Sequence, residues 1–189
     1  MKYLKTNELL KVLEVASQHG TREHAICLLA YKHALRASEI ASLTLSDVRN
    51  NQIDVRRLKG SLHTIQPLQA HANPLLNEPS VLKAWLRDRG SADGSQLLFT
   101  SRQGSGLSRR QIFNIFESIA IRAGIEEGRR NVHILKHSLC AHLVRAGQSV
   151  AFVQISAGHR DPKSTLYYAH VTDEEAALVT GKTLDSVFS

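Results

Sequence analysis

His133, Lys136 and His137 stand in the run HILKH, and a helix would bring positions i, i+3 and i+4 onto one face. Two imidazoles a turn apart with an amine between them suit two arrangements. They can hold zinc, although the run lacks the glutamate of a metalloprotease helix and any clear third ligand. Packed against backbone, they form a satisfied pair with no ligand at all. Other reactive residues are scattered along the chain. Arg36 in HALRASEI begins a helix, where its planar fork suits a phosphate or an ion pair with Glu39. Lys59, beside Gly60, reads by itself as a solvated charge, and His159 after Gly158 reads as a helix cap. Tyr167 and Tyr168 are adjacent on a short amphipathic helix, where by default they read as a core and a surface residue respectively. A tyrosine hydroxyl, with an ordinary pKa of about 10, is a poor nucleophile at neutral pH unless nearby cations or a base favour its ionisation.

The elements that must position these groups are mostly helices. Thr6 and Asn7 are cap-type residues before apolar positions Leu9, Leu10, Leu13 and Ala16, which is helical spacing. The helical run REHAICLLAYKHA leads to a short helix capped by Ser38 and ending before Ser46 and Asp47. The pattern then changes: Ile53, Val55 and Leu58, then Leu62 and Ile65, flank Lys59 and Gly60. That predicts a β-hairpin over about residues 52–67 with Lys59 near its tip. A further helix runs between Pro79 and Gly90, followed by Ser- and Gly-rich loops around Leu97 to Phe99. Ser108 and Gln111 form a capping box before the stripe Ile112, Ile115, Phe116 and Ile119, which Gly124 ends. The helix VHILKHSLCAHLVRAG stops at Gly147, and Ser149 caps the next. A short helix follows Asp161 and Pro162, and a last one opens at Thr172 with Glu175. The fold class is mainly α with a small β-sheet or hairpin.

A chain of 189 residues suits one domain that buries about two-thirds of its unfolded surface. With 42% hydrophobic and 22% charged residues, disorder is excluded as the main theme. Lysine and arginine outnumber acidic residues 24 to 17, giving +7, so a polyanion such as nucleic acid is the first partner to consider. Cys27 and Cys140 lie inside apolar helical patterns and make no disulfide framework, so both are expected buried and reduced. The start MKYLKTNELL has no apolar block and AICLLAY is too short to span a bilayer, which predicts a cytoplasmic protein with no membrane partner.

Taken in order, Arg36 in RASEI, a hairpin lysine, H-x-x-K-H, Gly158-His159 and a tyrosine nine residues beyond that histidine resemble the tyrosine recombinase family, which includes phage integrases and the Xer and fimbrial-switch recombinases. The resemblance runs from the first helix to about residue 175, and LAYKHALRASEI looks closest to the short fimbrial-switch members. It implies that family's catalytic-domain fold and site-specific DNA recombination for a mobile element or DNA switch. A tyrosine attacks a phosphodiester, leaving a 3′-phosphotyrosyl link and a free 5′-hydroxyl, and another strand's hydroxyl reseals it. The resemblance implies no metal or other cofactor. Arg36 would grip non-bridging phosphate oxygens, Lys59 would protonate the departing 5′-oxygen, His133 would assist proton transfer and His159 would hydrogen-bond the phosphate. The pattern T-x-x-Y-x-H is met by Thr165, Tyr168 and His170, which makes Tyr168 rather than Tyr167 the nucleophile. His137, Glu39 and Asp47 match supporting positions.

Lys136 departs from the family, which has a second arginine there. Lysine keeps the charge but loses the two-pronged hydrogen bonding, and one lost preorganised donor costs about 2.7–4 kcal/mol of transition-state stabilisation. That motivates an alternative: a recombinase-like accessory factor that binds DNA and activates or recruits a host tyrosine recombinase, with weak or no catalysis. Relaxation of supercoils by the same chemistry is a third reading. Ala34 replaces the usual glycine before Leu35 and Arg36, and Ala157 the usual leucine before Gly158, changes expected to affect packing more than chemistry. The chain starts where the family's catalytic domain starts, which predicts a single domain over residues 1–189 without an N-terminal DNA clamp. Double-stranded DNA in the nucleoid is the implied partner. The apolar tail in residues 173–189, with Leu184, Val187 and Phe188, would dock onto another copy or a host recombinase.

Overall fold

A computed structural model describes residues 2–57, 63–90, 96–101, 103–161, 163–166 and 168. Helices α1 (Thr6–His19), α2 (Thr21–Lys32) and α3 (Ala37–Ser42) come first, then strands β1 (Val48–Arg49), β2 (Gln52–Val55) and β3 (Thr64–Pro67). Helices α4 (Glu78–Arg89), α5 (Arg109–Arg122), α6 (His133–Arg145), α7 (Val150–Ala157) and α8 (Lys163–Leu166) follow. Helix α2 is buried continuously from Glu23 to Ala30, as befits a helix that packs on several sides. It meets α1, α4 and α6. The larger apolar cluster gathers around it and includes Leu13, Leu28, Phe99 and Phe116. A smaller cluster joins Ala34, Cys140, Val153 and Ala157 to the ring of Tyr168.

Most punctuation stands where the sequence puts it. The Ser108–Gln111 capping box starts α5, Ser149 caps α7, and Pro79 lies in the first turn of α4 with Gly90 just past its end. Cys27 and Cys140 are buried and free. The expected caps of α1 and α3 are corrected. Thr6 is already helical and Lys5 is the N-cap, while Arg36 rather than Ser38 precedes α3. In both, a glutamate three residues on accepts the cap's N–H: Glu8 from Lys5 and Glu39 from Arg36, each at 2.8 Å. That carboxylate neutralises an orphan donor without a capping hydroxyl.

The hairpin strands pair antiparallel, with Ile53 opposite Gln66 and Val55 opposite Thr64. Strand β1 adds an outer partner to β2 that the sequence pattern did not reveal. Leu58, Lys59 and Leu62 at the expected tip lie outside the described residues, as do Tyr167, His170, the helix from Thr172 and the tail. The stretch around Leu97 is held by isolated contacts: Leu98 N–H donates to Leu43 O at 2.7 Å, and Trp85 Nε1–H to Leu98 O at 3.0 Å. Among the described residues no helix is long and apolar enough to cross a membrane.

Candidate active site

Helix α6 supplies one wall of the candidate site. Its spacing places His133, Lys136 and His137 along one side. The rings of His133 and His137 meet edge to face with centroids 4.6 Å apart. Among the described residues no three His, Cys, Asp or Glu side chains converge as a metal-holding group. Lys136 is only 2% exposed and donates from Nζ to Ala157 O at 2.7 Å, linking α6 to the end of α7. Burial pulls its pKa down to about 7, and the charges of Arg57 and Arg36 push the same way.

Arg36 enters from the N-cap of α3. Its Nη1 meets Glu39 Oε1 at 2.9 Å, and its side chain is 35% exposed, so the ion pair anticipated from sequence exists while the guanidinium still lines the cleft. Burial would raise the pKa of Glu39, but the N–H of Arg36 and the charges of Arg57 and Arg36 outweigh it and hold the carboxyl below its usual range.

A second guanidinium, which the sequence reading did not single out, sits behind the first. Ile53 and Val55 face inward on β2, and the two-residue alternation carries Arg57 to the same side. Its side chain is 0% exposed. It donates to Ala34 O at 3.0 Å and His33 O at 2.8 Å, and approaches Glu39 Oε2 at 3.3 Å. Ala34 has φ 52, a left-handed conformation in which glycine is unstrained. The alanine there is therefore a backbone matter as well as one of packing, and Arg57 clamps the carbonyl of the strained residue. On the other side of Arg57, Gly158 has φ 62, and a Cβ added to it would lie 2.7 Å from Arg57 Nε.

The hairpin is also tied to the helices through β3. Gln66 Oε1 lies 2.7 Å from His33 Nδ1, and Gln66 Nε2 donates to Ser156 O at 3.2 Å. His33 Nε2 meets Glu78 Oε1 on α4 at 2.6 Å. The turn after α7 is thereby pinned next to α2.

His159 leaves that turn with Nδ1 2.9 Å from Thr165 Oγ1, both residues buried. Burial pulls the pKa of His159 down to about 4, and the charge of Lys136 contributes next. His133 is an exposed residue, yet it is likewise brought to about 4, by desolvation of its ring first and then by His137 and Lys136. Both are neutral at neutral pH. Tyr168, read from its amphipathic segment alone as a surface residue, is instead 8% exposed, because its ring packs into the smaller apolar cluster and its hydroxyl is bonded to His137 Nδ1. The thiol of Cys140 also hydrogen-bonds Tyr168, while burial pushes its own pKa up to about 11.

Arg36, His133, Lys136, His137, His159, Lys163 and Tyr168 line a single cleft of about 510 Å³. It brings together every expected site residue except Lys59, which lies outside the described residues, and adds His137 and Lys163. The cleft thus sets a tyrosine hydroxyl among the basic side chains of Arg36, Lys136 and Lys163 and the neutral imidazoles of three histidines.

Residues 2–175 match the Phage integrase family. Type 1 fimbriae regulatory protein FimE of Escherichia coli strain K12 is 32% identical over 154 residues, covering 79% of this chain and 74% of the relative. FimB of the same strain is 33% identical over 172 residues, covering 88% and 82%. Tyrosine recombinase XerD of Yersinia pestis is 33% identical over 81% of this chain, which spans 51% of that longer protein. The crystal structure of XerA recombinase superposes with a TM-score of 0.78 at 26% identity, over 97% of this chain and 65% of that one. XerH bound to its difH substrate in a pre-cleavage complex gives 0.77 at 22% identity, over 95% and 54%, a likeness of fold. The mostly helical architecture with its small antiparallel sheet is that of their catalytic domains. By a match that takes in all but the end of its sequence, the chain belongs to the phage integrase family of tyrosine recombinases.

Proposed function

We propose that this protein carries out site-specific recombination of double-stranded DNA by cleavage and rejoining through Tyr168. The observation that carries the reading is the shared cleft, in which the Tyr168 hydroxyl lies with Arg36, Lys136 and His159. In this reading Arg36 and Lys136 hold the non-bridging oxygens of the scissile phosphate and His159 donates to it. Lys59, which the sequence pattern puts near the hairpin tip, protonates the departing 5′-oxygen. Charge on five-coordinate phosphorus is stabilised by donors already in place, and the 3′-phosphotyrosyl ester stores the bond for rejoining. XerH, a fold neighbour, is described bound to its DNA substrate before cleavage, which supports a DNA duplex as the partner. The relatives FimE and FimB are regulators of type 1 fimbriae, which favours a DNA switch as the setting. Residues 173–189 are proposed to dock on a neighbouring copy or a host recombinase.

Trapping of covalent protein–DNA adducts on nicked duplexes that prevent religation tests the reading. Wild type and Tyr167→Phe are expected to form the adduct and Tyr168→Phe to lose it. An adduct that survives Tyr168→Phe would remove Tyr168 from the role. Lys136, buried where the family has arginine, favours a second reading, an accessory factor. Binding without any adduct, together with stimulation of a host recombinase, would establish that alternative.

A further inference from the structure

We infer that His137 is a catalytic residue, the base that takes the hydroxyl proton of Tyr168 as its oxygen attacks phosphorus. The inference rests on Tyr168 being the nucleophile. Sequence resemblance gives proton transfer to His133 and leaves His137 a supporting role. The geometry differs. The Nδ1 atom of His137 meets the Tyr168 hydroxyl directly, whereas His133 is placed edge-on against the His137 ring. Cys140 also reaches Tyr168, but its buried thiol holds its own proton at neutral pH and has no capacity for another.

The cleft that holds His137 is lined by His133 and Lys136 from α6, Arg36 from the start of α3, His159 after α7, and Lys163 and Tyr168 from α8 and beyond, and Cys140, one turn along α6, interacts with Tyr168. Burial lowers the pKa of His137 and the charge of Lys136 lowers it further, so the imidazole is neutral and Nδ1 can accept. An imidazolium in an empty cleft would be opposed by these cations. A bound phosphodiester adds a negative charge that offsets them, so proton transfer is favoured once DNA is in place. In the step itself the tyrosine oxygen bonds phosphorus and its proton passes to His137 Nδ1. The P–O5′ bond breaks, and the leaving oxygen receives a proton from the general acid. Rejoining runs the same transfers backwards.

The test measures single-turnover adduct formation on a nicked duplex for wild type and His137→Asn. The Asn amide can still hydrogen-bond the hydroxyl but cannot take its proton. The variant is expected to be slower by about 10²–10⁴-fold at neutral pH, and the deficit is expected to shrink as pH rises toward the ionisation of the phenol. A difluorotyrosine at position 168, a more acidic phenol, should restore more rate to the variant than to the wild type. A deficit equal at every pH and with both phenols would overturn the base assignment while leaving Tyr168 the nucleophile. Wild type that forms no adduct would overturn both readings together. Nitrogen-15 NMR of the unaltered protein gives an independent arm: Nδ1 of His137 should be unprotonated and Nε2 protonated, and the reverse tautomer would overturn the assignment.

Discussion

By the resemblance drawn from the sequence, Lys136 stands where a second arginine is expected, and its surroundings explain what such an exchange does. A guanidinium would present a fork toward phosphate, whereas the amine spends one donor on Ala157 O. Lys136→Arg is expected to raise the adduct rate on nicked DNA by up to about a hundredfold, and an unchanged rate would place Lys136 outside the reacting geometry. The same burial makes Lys136 a pH-dependent element of stability. Its folded pKa is about 7, while an unfolded lysine titrates at about 10.4. Between those values the unfolded chain binds more protons, so Lys136 opposes folding most strongly below pH 7 and progressively less as pH rises. Urea unfolding of wild type should therefore gain stability relative to Lys136→Met between about pH 7 and 10. A constant difference across that range would contradict the sign.

Among elements, the hairpin matters more for what it anchors than for its length. Arg57, two residues past the end of β2, holds the carbonyls of His33 and Ala34, touches Glu39 and fills the space under Gly158. It thereby fixes the turn that presents Arg36 and the turn that presents His159. Arg57→Met leaves Glu39 buried with one cation fewer, and is expected to destabilise the fold by about 3–5 kcal/mol, read from the urea midpoint. A cost below about 1 kcal/mol, typical of an exposed pair, would show that the guanidinium is dispensable. The alternation of Ile53, Val55 and Arg57 was legible in the sequence, but a charge at the end of a strand reads as a surface residue. What turned it inward was an acceptor set from residues 33, 34 and 39, which no local pattern displays.

For the molecule as a whole, a net charge of +7 predicts DNA binding dominated by phosphate contacts and weakened by salt. In a salt titration by fluorescence anisotropy, Arg36→Ala should weaken binding similarly on unrelated duplexes and flatten the slope of log K against log salt by about 0.9. A variant with an unaltered slope would mean that Arg36 stays on Glu39 and does not reach DNA. The main helices and the hairpin were readable because Ser108, Ser149, Gly90 and Gly147 are local signals. The caps at Lys5 and Arg36 were misread because the glutamates rather than the cap residues carry the signal. The His137–Tyr168 contact joins residues 31 positions apart, beyond anything that helical spacing encodes.

The order of the site along the chain has its own consequence. Arg36, Arg57, Lys136 and His159 all precede Tyr168, whose ring completes the smaller apolar cluster. A ribosome delivers residues from the N-terminus at about 5–20 per second, so the phosphate-binding groups of the proposed site emerge before Tyr168 does. On the proposed function, no stage of synthesis exposes a reactive tyrosine without the charges that control it, and a chain interrupted before Tyr168 could not break DNA.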